Sequence, residues 1–433
     1  MTGLRGSIVL MVAALVACTR LAAAPEPPRD APAEPAPKLT EKPVKSLGKV
    51  GDAYGGVVIS PNGERLAYVV YKEYEKWVVV CDGREGMLYR RLIGLRFSSD
   101  GKRLAYIGES PQGHVFVCEG AEKPSGGSLA FSPDGRHVAY QGPDGNVLRD
   151  GRPESEHSFL GKTLVFSPDS QHLAYLAGYP RRVICDGKSG PSYKEGVFGE
   201  PVFPPDGKSY AHTLSQGEKV GDKWVVYWKD KKVGGPYDMV EGIVFAPDSK
   251  RIAYRALVGG KWSVVVNDKK GPDFSQLGVI VFSGDNKRLA YPACDKDGWC
   301  VMYDGKKGLA CAEVGNPVFS ADSKHLAYRA VKDGKALVIC DGMESAPFDE
   351  ISWVGFTPNG NHIAFAAARG KDKFIVCDGV EGPPHERLMV PERPFEVASE
   401  TRYVVIDKAE TSLVGVDWPA DRTWENAFKP SAK

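Results

Sequence analysis

From residue 57 to residue 385 the chain alternates short apolar runs with polar turns, in the two-residue period of β-strands. One apolar residue opens each turn and sets a register: Ile59, Phe97, Phe131, Phe166, Phe203, Phe245, Phe282, Phe319 and Phe356. The last three intervals are 37 residues and the others run from 34 to 42. Behind each mark lies a turn such as Ser132-Pro133-Asp134-Gly135 or Ala246-Pro247-Asp248-Ser249. Asp134, Asp169, Asp206, Asp248, Asp285 and Asp322 share one position in it, joined by Asp100, Asn62 and Asn359. There a short polar side chain bonds the backbone two residues on, and the following Gly or Ser tolerates the bend.

A second strand follows each turn. Eight residues past the mark stands an alanine in every copy: Ala67, Ala105, Ala139, Ala174, Ala211, Ala253, Ala290, Ala327 and Ala364. Its neighbours on both sides are mostly large. Strand side chains alternate between faces, so one face is small and the other bulky, which suits sheets stacked face to face. A third strand, such as Trp77-Val78-Val79-Val80, runs into an Asp-Gly hairpin turn at Asp82, Asp150, Asp186, Asp304, Asp341 and Asp378. A short fourth strand leads to the next mark. Each unit is a four-stranded antiparallel meander, and no segment has helical periodicity. Repetition at this period predicts an all-β fold, a single β-propeller of nine or ten blades. Phe395 to Ala398, Arg402 to Asp407 and Ser412 to Trp418 read as a tenth unit lacking its fourth strand, which residues 45–50 would supply. Nine blades with a decorated tail, or two smaller rings, are the alternatives.

Residues 57–385 resemble the WD-like repeats of TolB-type propellers, on copies such as Phe131-Ser132-Pro133-Asp134-Gly135-Arg136-His137-Val138-Ala139-Tyr140. The resemblance implies a toroidal fold. On function it implies protein contacts, although such propellers also decorate enzymes. TolB carries a globular domain ahead of its propeller, whereas here that space holds a Pro-rich stretch, so TolB's role is not carried over.

Arg5 precedes an unbroken apolar run of ten residues, Ile8 to Ala17, which has the length of an export signal and not of a spanning helix. Leu15-Val16-Ala17-Cys18 resembles the lipobox of bacterial lipoproteins, in which Cys18 becomes the lipidated N-terminus. Cleavage after Ala22-Ala23-Ala24 is the alternative, with Pro25 an unfavourable residue past the cut. Pro25, Pro27, Pro28, Pro32, Pro35, Pro37 and Pro43 interrupt any helix and predict an extended tether. The expected organisation is a signal at 1–17, a tether at 18–45, the propeller at 46–420 and a C-terminal tail at 421–433. The protein is expected to be exported and to sit in the periplasm or at the cell surface. A lipid would anchor it, with Thr19 favouring the outer membrane of a Gram-negative cell.

Lys and Arg number 56 against 55 Asp and Glu, a balance without the basic excess of a nucleic-acid partner. His137, His172, His325 and His362 share a repeat position with Arg65, Arg103, Arg251 and Arg288. Arginine is no metal ligand, and equivalent residues of stacked sheets lie ~10 Å apart. No metal site and no cofactor is therefore expected. The same spacing separates Cys81, Cys118, Cys185, Cys340 and Cys377, which read as small buried apolar residues. Cys294 and Cys300 flank the turn at Asp295 to Gly298 and form the one pair placed to bridge. Cys311 has no evident partner. No catalytic motif is present. Three residues before each mark the chain offers Gly56, Gly94, Ser128, Thr163, Glu200, Gly242, Val279, Asn316 and Trp353, of which only Glu200 ionises.

These features predict a non-catalytic binding or scaffold protein of the bacterial envelope, monomeric, with a protein partner in that envelope. The alternative is an enzyme, or a ligand- or carbohydrate-binding protein, using the mouth of the channel. The longest unit, after Phe203, carries an insert from Ser215 to Lys223. Glu218, Lys219, Asp222, Lys223 and the adjoining Trp224 are the candidate partner contacts, because an aromatic beside charges is common at interface hot spots. The competing reading is a solvated loop with Trp224 buried in its blade. Metabolic labelling with palmitate is expected to mark the wild-type chain and not Cys18→Ala; equal labelling of the two would refute the anchor.

Overall fold

The computed structural model describes residues 39, 41–49, 53–61, 64–72, 76–159, 163–178, 180–192, 199–215, 217, 222–357, 360–389, 395–397, 400–407, 410–417 and 423–430. Cys18 and the proposed signal lie outside them. Among these residues the regular structure is strand, apart from one short helix, Trp424–Ala427. The strands form ten sheets. The first is typical: Ala53–Ile59, Leu66–Lys72, Lys76–Cys81 and Arg84–Tyr89 hydrogen-bond in chain order, each antiparallel to the last. The fourth strand then passes through Arg90 alone into the next sheet's first strand, Arg91–Phe97. The chain is a β-propeller, as the repeat predicts.

The conserved spacing of the alanines explains how the sheets stack. All nine are at most 1% exposed. Ala67 packs in one cluster with Leu104 and Tyr106 of the second sheet. Ala105 meets Val138 and Tyr140 of the third, Ala253 meets Tyr291 of the seventh, and Ala290 meets Leu326 and Tyr328 of the eighth. Each sheet's small face receives the next sheet's bulky face. Burial of one such large apolar side chain stabilises by about 1.5–3 kcal/mol, and the contact recurs at each of the nine seams that an alanine lines.

The tenth sheet answers the question of blade number. Its strands are Arg387–Met389 with Phe395–Val397, then Glu400–Asp407, Glu410–Asp417 and, as the fourth, the N-terminal strand Glu41–Lys49. Glu41 pairs with Val416 and Lys49 with Glu410. The strand begins at Glu41, so its first five residues, 41–45, lie in the stretch expected to be tether. Pro43 misleads there: on a sheet's outermost strand a proline costs no ladder bond, and the register shifts between Pro43 and Lys45. The last strand of the ring is thus supplied from the N-terminal side, so the ring closes on its own N-terminus. The face of the first sheet that turns away from the second, with Leu66, Tyr68, Val78 and Val80, is likewise buried.

The tail is not free. The helix Trp424–Ala427 packs between the eighth and ninth sheets, and Lys429–Pro430 pairs with Met343–Glu344 on the outer edge of the eighth. Removing residues 1–49 should therefore lower unfolding stability by at least about 3 kcal/mol, since seven registered pairs are lost at roughly 0.5–1.5 kcal/mol per net hydrogen bond. Removing residues 1–37 should leave it unchanged. Urea denaturation of the three chains checks this, and equal midpoints would mean that the strand does not latch the ring.

Candidate functional site

The polar residues of the repeat build one device, clearest in the eighth unit. The Ser320 hydroxyl donates to Asp322 at 2.6 Å, and Asp322 accepts the Lys324 N–H at 3.1 Å. Ser320 in turn accepts the His325 N–H at 2.9 Å. These donors hold the Asp322 carboxyl well below its ordinary value, at about 2. Across the sheet Asp341 accepts the Leu326 N–H at 2.9 Å and meets His325 Nδ1 at 2.6 Å. The equivalent pairs are His137 with Asp150 at 2.7 Å, His172 with Asp186 at 2.5 Å, and His362 with Asp378. In each, the second carboxylate oxygen accepts a backbone N–H from the start of the second strand.

Arginine in place of histidine reaches further. Arg65, Arg103, Arg251 and Arg288 lie over the next sheet's Phe97, Phe131, Phe282 and Phe319, with the guanidinium 5.0–5.3 Å from the ring centre. Each also donates to backbone carbonyls of the next turn: Arg65 to Lys102, Arg103 to Gly135, Arg251 to Asn286, and Arg288 to Lys324 at 2.7 Å. Neighbouring turns touch directly as well. The Ser323 hydroxyl accepts the Asp285 N–H at 3.0 Å, and Ser170 accepts that of Asp134 at 2.9 Å. Where the turn carries glycine, at Gly135 with φ +72°, an added Cβ would lie 2.7 Å from Asp100. The His–Asp pairs are thus parts of a rim that staples sheet to sheet. They do not converge, and among the described residues no group of three or more His, Cys, Asp or Glu side chains is arranged to hold a metal.

The other expected residues are placed as follows. Cys294 pairs with Trp299 and Cys300 with Ala293, so the two thiols lie on opposite faces of their hairpin. Both are free, as are the other described cysteines. The bridge expected between Cys294 and Cys300 is therefore not formed: the two-residue turn sets a register one residue away from the pairing it would need. Burial raises the Cys81 and Cys300 thiols to about 11 and Cys185 to about 12, which keeps them protonated and unreactive. Glu218 and Lys219 lie outside the described residues. Lys223 forms an ion pair with Asp238, and Asp222 comes close to Gly217. Trp224 opens the strand Trp224–Trp228 and packs, partly buried, against the cluster of Val240 and Tyr254.

Gly94, Ser128 and Thr163, equivalent positions in three successive units, come together around a cavity of about 220 Å³ with Ile93, Arg96 and Leu164. Glu200, the ionisable member of that row, is half-buried. Sequence reasoning missed His212, which is 2% exposed, stacked on Tyr227 at 5.4 Å and pushed down to about 4 by burial. It also missed Arg149, which covers Phe166 where His137 does not. Nor did it foresee Trp424 and Phe428, for which the only signal was two aromatics in a polar tail.

Fold and rim together define a ten-sheet β-propeller. No protein-family model matches the chain, and no curated protein does. Among solved structures it is similar to TolB from Acinetobacter baumannii, at 14% identity and a TM-score of 0.28, over 60% of this chain and 64% of that one. The match thus spans less than two thirds of the TolB chain. The Dos1 propeller matches at 12% identity and a TM-score of 0.39, over 79% of this chain and 96% of that one. Hydrazine synthase from Kuenenia stuttgartiensis matches at 15% and 0.30, over 58% and 96%.

Arg288→Ala should destabilise the chain by about 1–3 kcal/mol, because it strips two carbonyls and one aromatic face of their partner. Arg288→Lys should recover less than half of the loss, since an ammonium lacks the planar fork. Urea titration of both variants checks this; full recovery by lysine would mean that charge alone matters.

Proposed function

We propose that the chain is a non-catalytic binding protein of the bacterial cell envelope, exported and anchored through a lipid on Cys18, with a protein as its partner. The observation that carries this reading is that a short polypeptide segment is already seated on the ring. Residues 424–430, which belong to no repeat, fill a seam between two sheets with Trp424 and Phe428 and extend a sheet edge with Lys429–Pro430. Strand addition at a free edge with an aromatic anchor is a common mode of peptide recognition. The repeated Ser, Asp, His and Arg side chains, the residues from which a catalytic site would be drawn, are engaged in holding turns and seams.

Variable loops on a rigid scaffold are the natural place for partner choice. The insert from Ser215 to Lys223, with Glu218, Lys219, Asp222, Lys223 and Trp224, remains the candidate contact. The test uses the mature chain as bait in solubilised envelope. A chain with residues 215–223 replaced by Asn-Gly should melt within about 2 °C of wild type, as loops tolerate deletion, and should lose the partner that the wild type captures. Unchanged capture would remove this loop from the site. Turnover of a substrate that Glu200→Gln abolishes would overturn the binding reading itself.

A further inference from the structure

Two aromatic side chains of the C-terminal segment are as deeply buried as the core they cover, while Glu425, Asn426, Lys429 and Pro430 are exposed. Trp424 is 2% exposed and Phe428 is 5% exposed. The space they fill has a cause in the repeat. At the arginine seams a guanidinium lies over the next sheet's phenylalanine. At the seam between the eighth and ninth sheets the residue is His325, whose shorter side chain turns back to Asp341 and meets Phe356 with ring centres 6.3 Å apart. Trp424 packs beside this pair, edge-on to His325 with ring centres 5.2 Å apart, in one cluster with Phe356, Ile363 and Val376.

Three backbone features fix the segment. The Trp424 N–H reaches the Asp378 carboxylate. Ala427 lies against Gly379, where φ is +77° and an added Cβ would come within 2.7 Å of it. Lys429 and Pro430 pair antiparallel with Glu344 and Met343, which sets a basic residue opposite an acidic one. Asp378 is in consequence fully buried, while its counterparts Asp82, Asp150, Asp186, Asp304 and Asp341 keep 31–43% of their side chains exposed. The site thus offers an aromatic pocket, a buried carboxylate acceptor and a sheet edge that Lys429–Pro430 alone covers among the described residues. The occupant's hold is short: two anchors, one helical turn and a two-residue strand.

We propose that this seam is a peptide-binding site which the chain's own C-terminal segment plugs, and that a partner protein displaces the plug. The partner's segment carries a tryptophan, a bulky apolar residue four positions later and a basic, extended pair beyond it. This deepens the binding reading above and rests on it. A covalently attached plug competes at high effective concentration, so the site stays closed until a better or more concentrated segment arrives. A free sheet edge is also a hazard for aggregation, which the plug suppresses.

The probe is a synthetic peptide with the sequence of residues 421–433. The receptor is the full chain carrying Trp424→Ala and Phe428→Ala, which loosens the plug without shortening the chain. The expected result is saturable one-to-one binding by fluorescence anisotropy, at least tenfold tighter than to the unaltered chain. A peptide with alanine in place of its tryptophan should bind at least tenfold more weakly. Hydrogen exchange on the unaltered chain gives a second readout that does not depend on the variant's folding. Excess peptide should speed exchange at the chain's own residues 424–430 while Met343 and Glu344 stay protected. Absence of both effects overturns the proposal, and so does equal binding of the two peptides. A dimer of the unaltered chain that Trp424→Ala abolishes also overturns it, because a second copy would then be the occupant. None of these outcomes bears on partner capture by the loop at 215–223, so the two readings fail separately.

Discussion

The structure depends on a size match repeated around a ring. In nine of the ten sheets the second strand sets a buried alanine against the large residues of the following sheet, and interiors packed at crystalline density leave no room for a bulkier side chain there. A lone four-stranded sheet has two apolar faces and no means of covering both. Stacking covers them only if the series returns to its start. Closure is therefore a condition of stability for every sheet, and the N-terminal strand Glu41–Lys49 meets it by completing the tenth sheet.

Hydrophobic stacking alone would let the sheets slide over one another. The rim supplies direction. Turn serines and aspartates fix each turn, third-strand aspartates hold the second strand's first N–H, and arginines tie one turn to the next. This division of labour gives the four His–Asp pairs at hydrogen-bond distance a place in the rim. Each aspartate has its second oxygen on a backbone donor, and each pair sits in a different seam.

Where histidine replaces arginine the staple is shorter, and the seams become unequal. Arg149 covers Phe166 beside His137, and the C-terminal segment packs against His325 in the cluster of Phe356. Small departures from the repeat thus create the one kind of feature a regular ring lacks, a place that differs from its neighbours. Recognition has to begin at such places, because symmetric surfaces offer a partner no unique address.

By itself the sequence determined the unit, its strand order, its turns and the stacking faces. These are set by contacts within about forty residues and by the two-residue period of a strand, which are legible along a line. The register of one hairpin was already less legible. Cys294 and Cys300 look symmetric about their turn, but one residue of offset sends them to opposite faces. The incomplete tenth unit already pointed to residues 45–50 for its fourth strand, but only the tertiary structure decided that strand's extent and register and where the C-terminal segment sits. Glu41 meets Val416, Trp424 meets His325 and Lys429 meets Glu344. No periodicity links such distant residues, and Pro43 argued locally against a strand. Those pairings follow from where the closed ring brings its two ends together, and that position is a sum over all ten sheets.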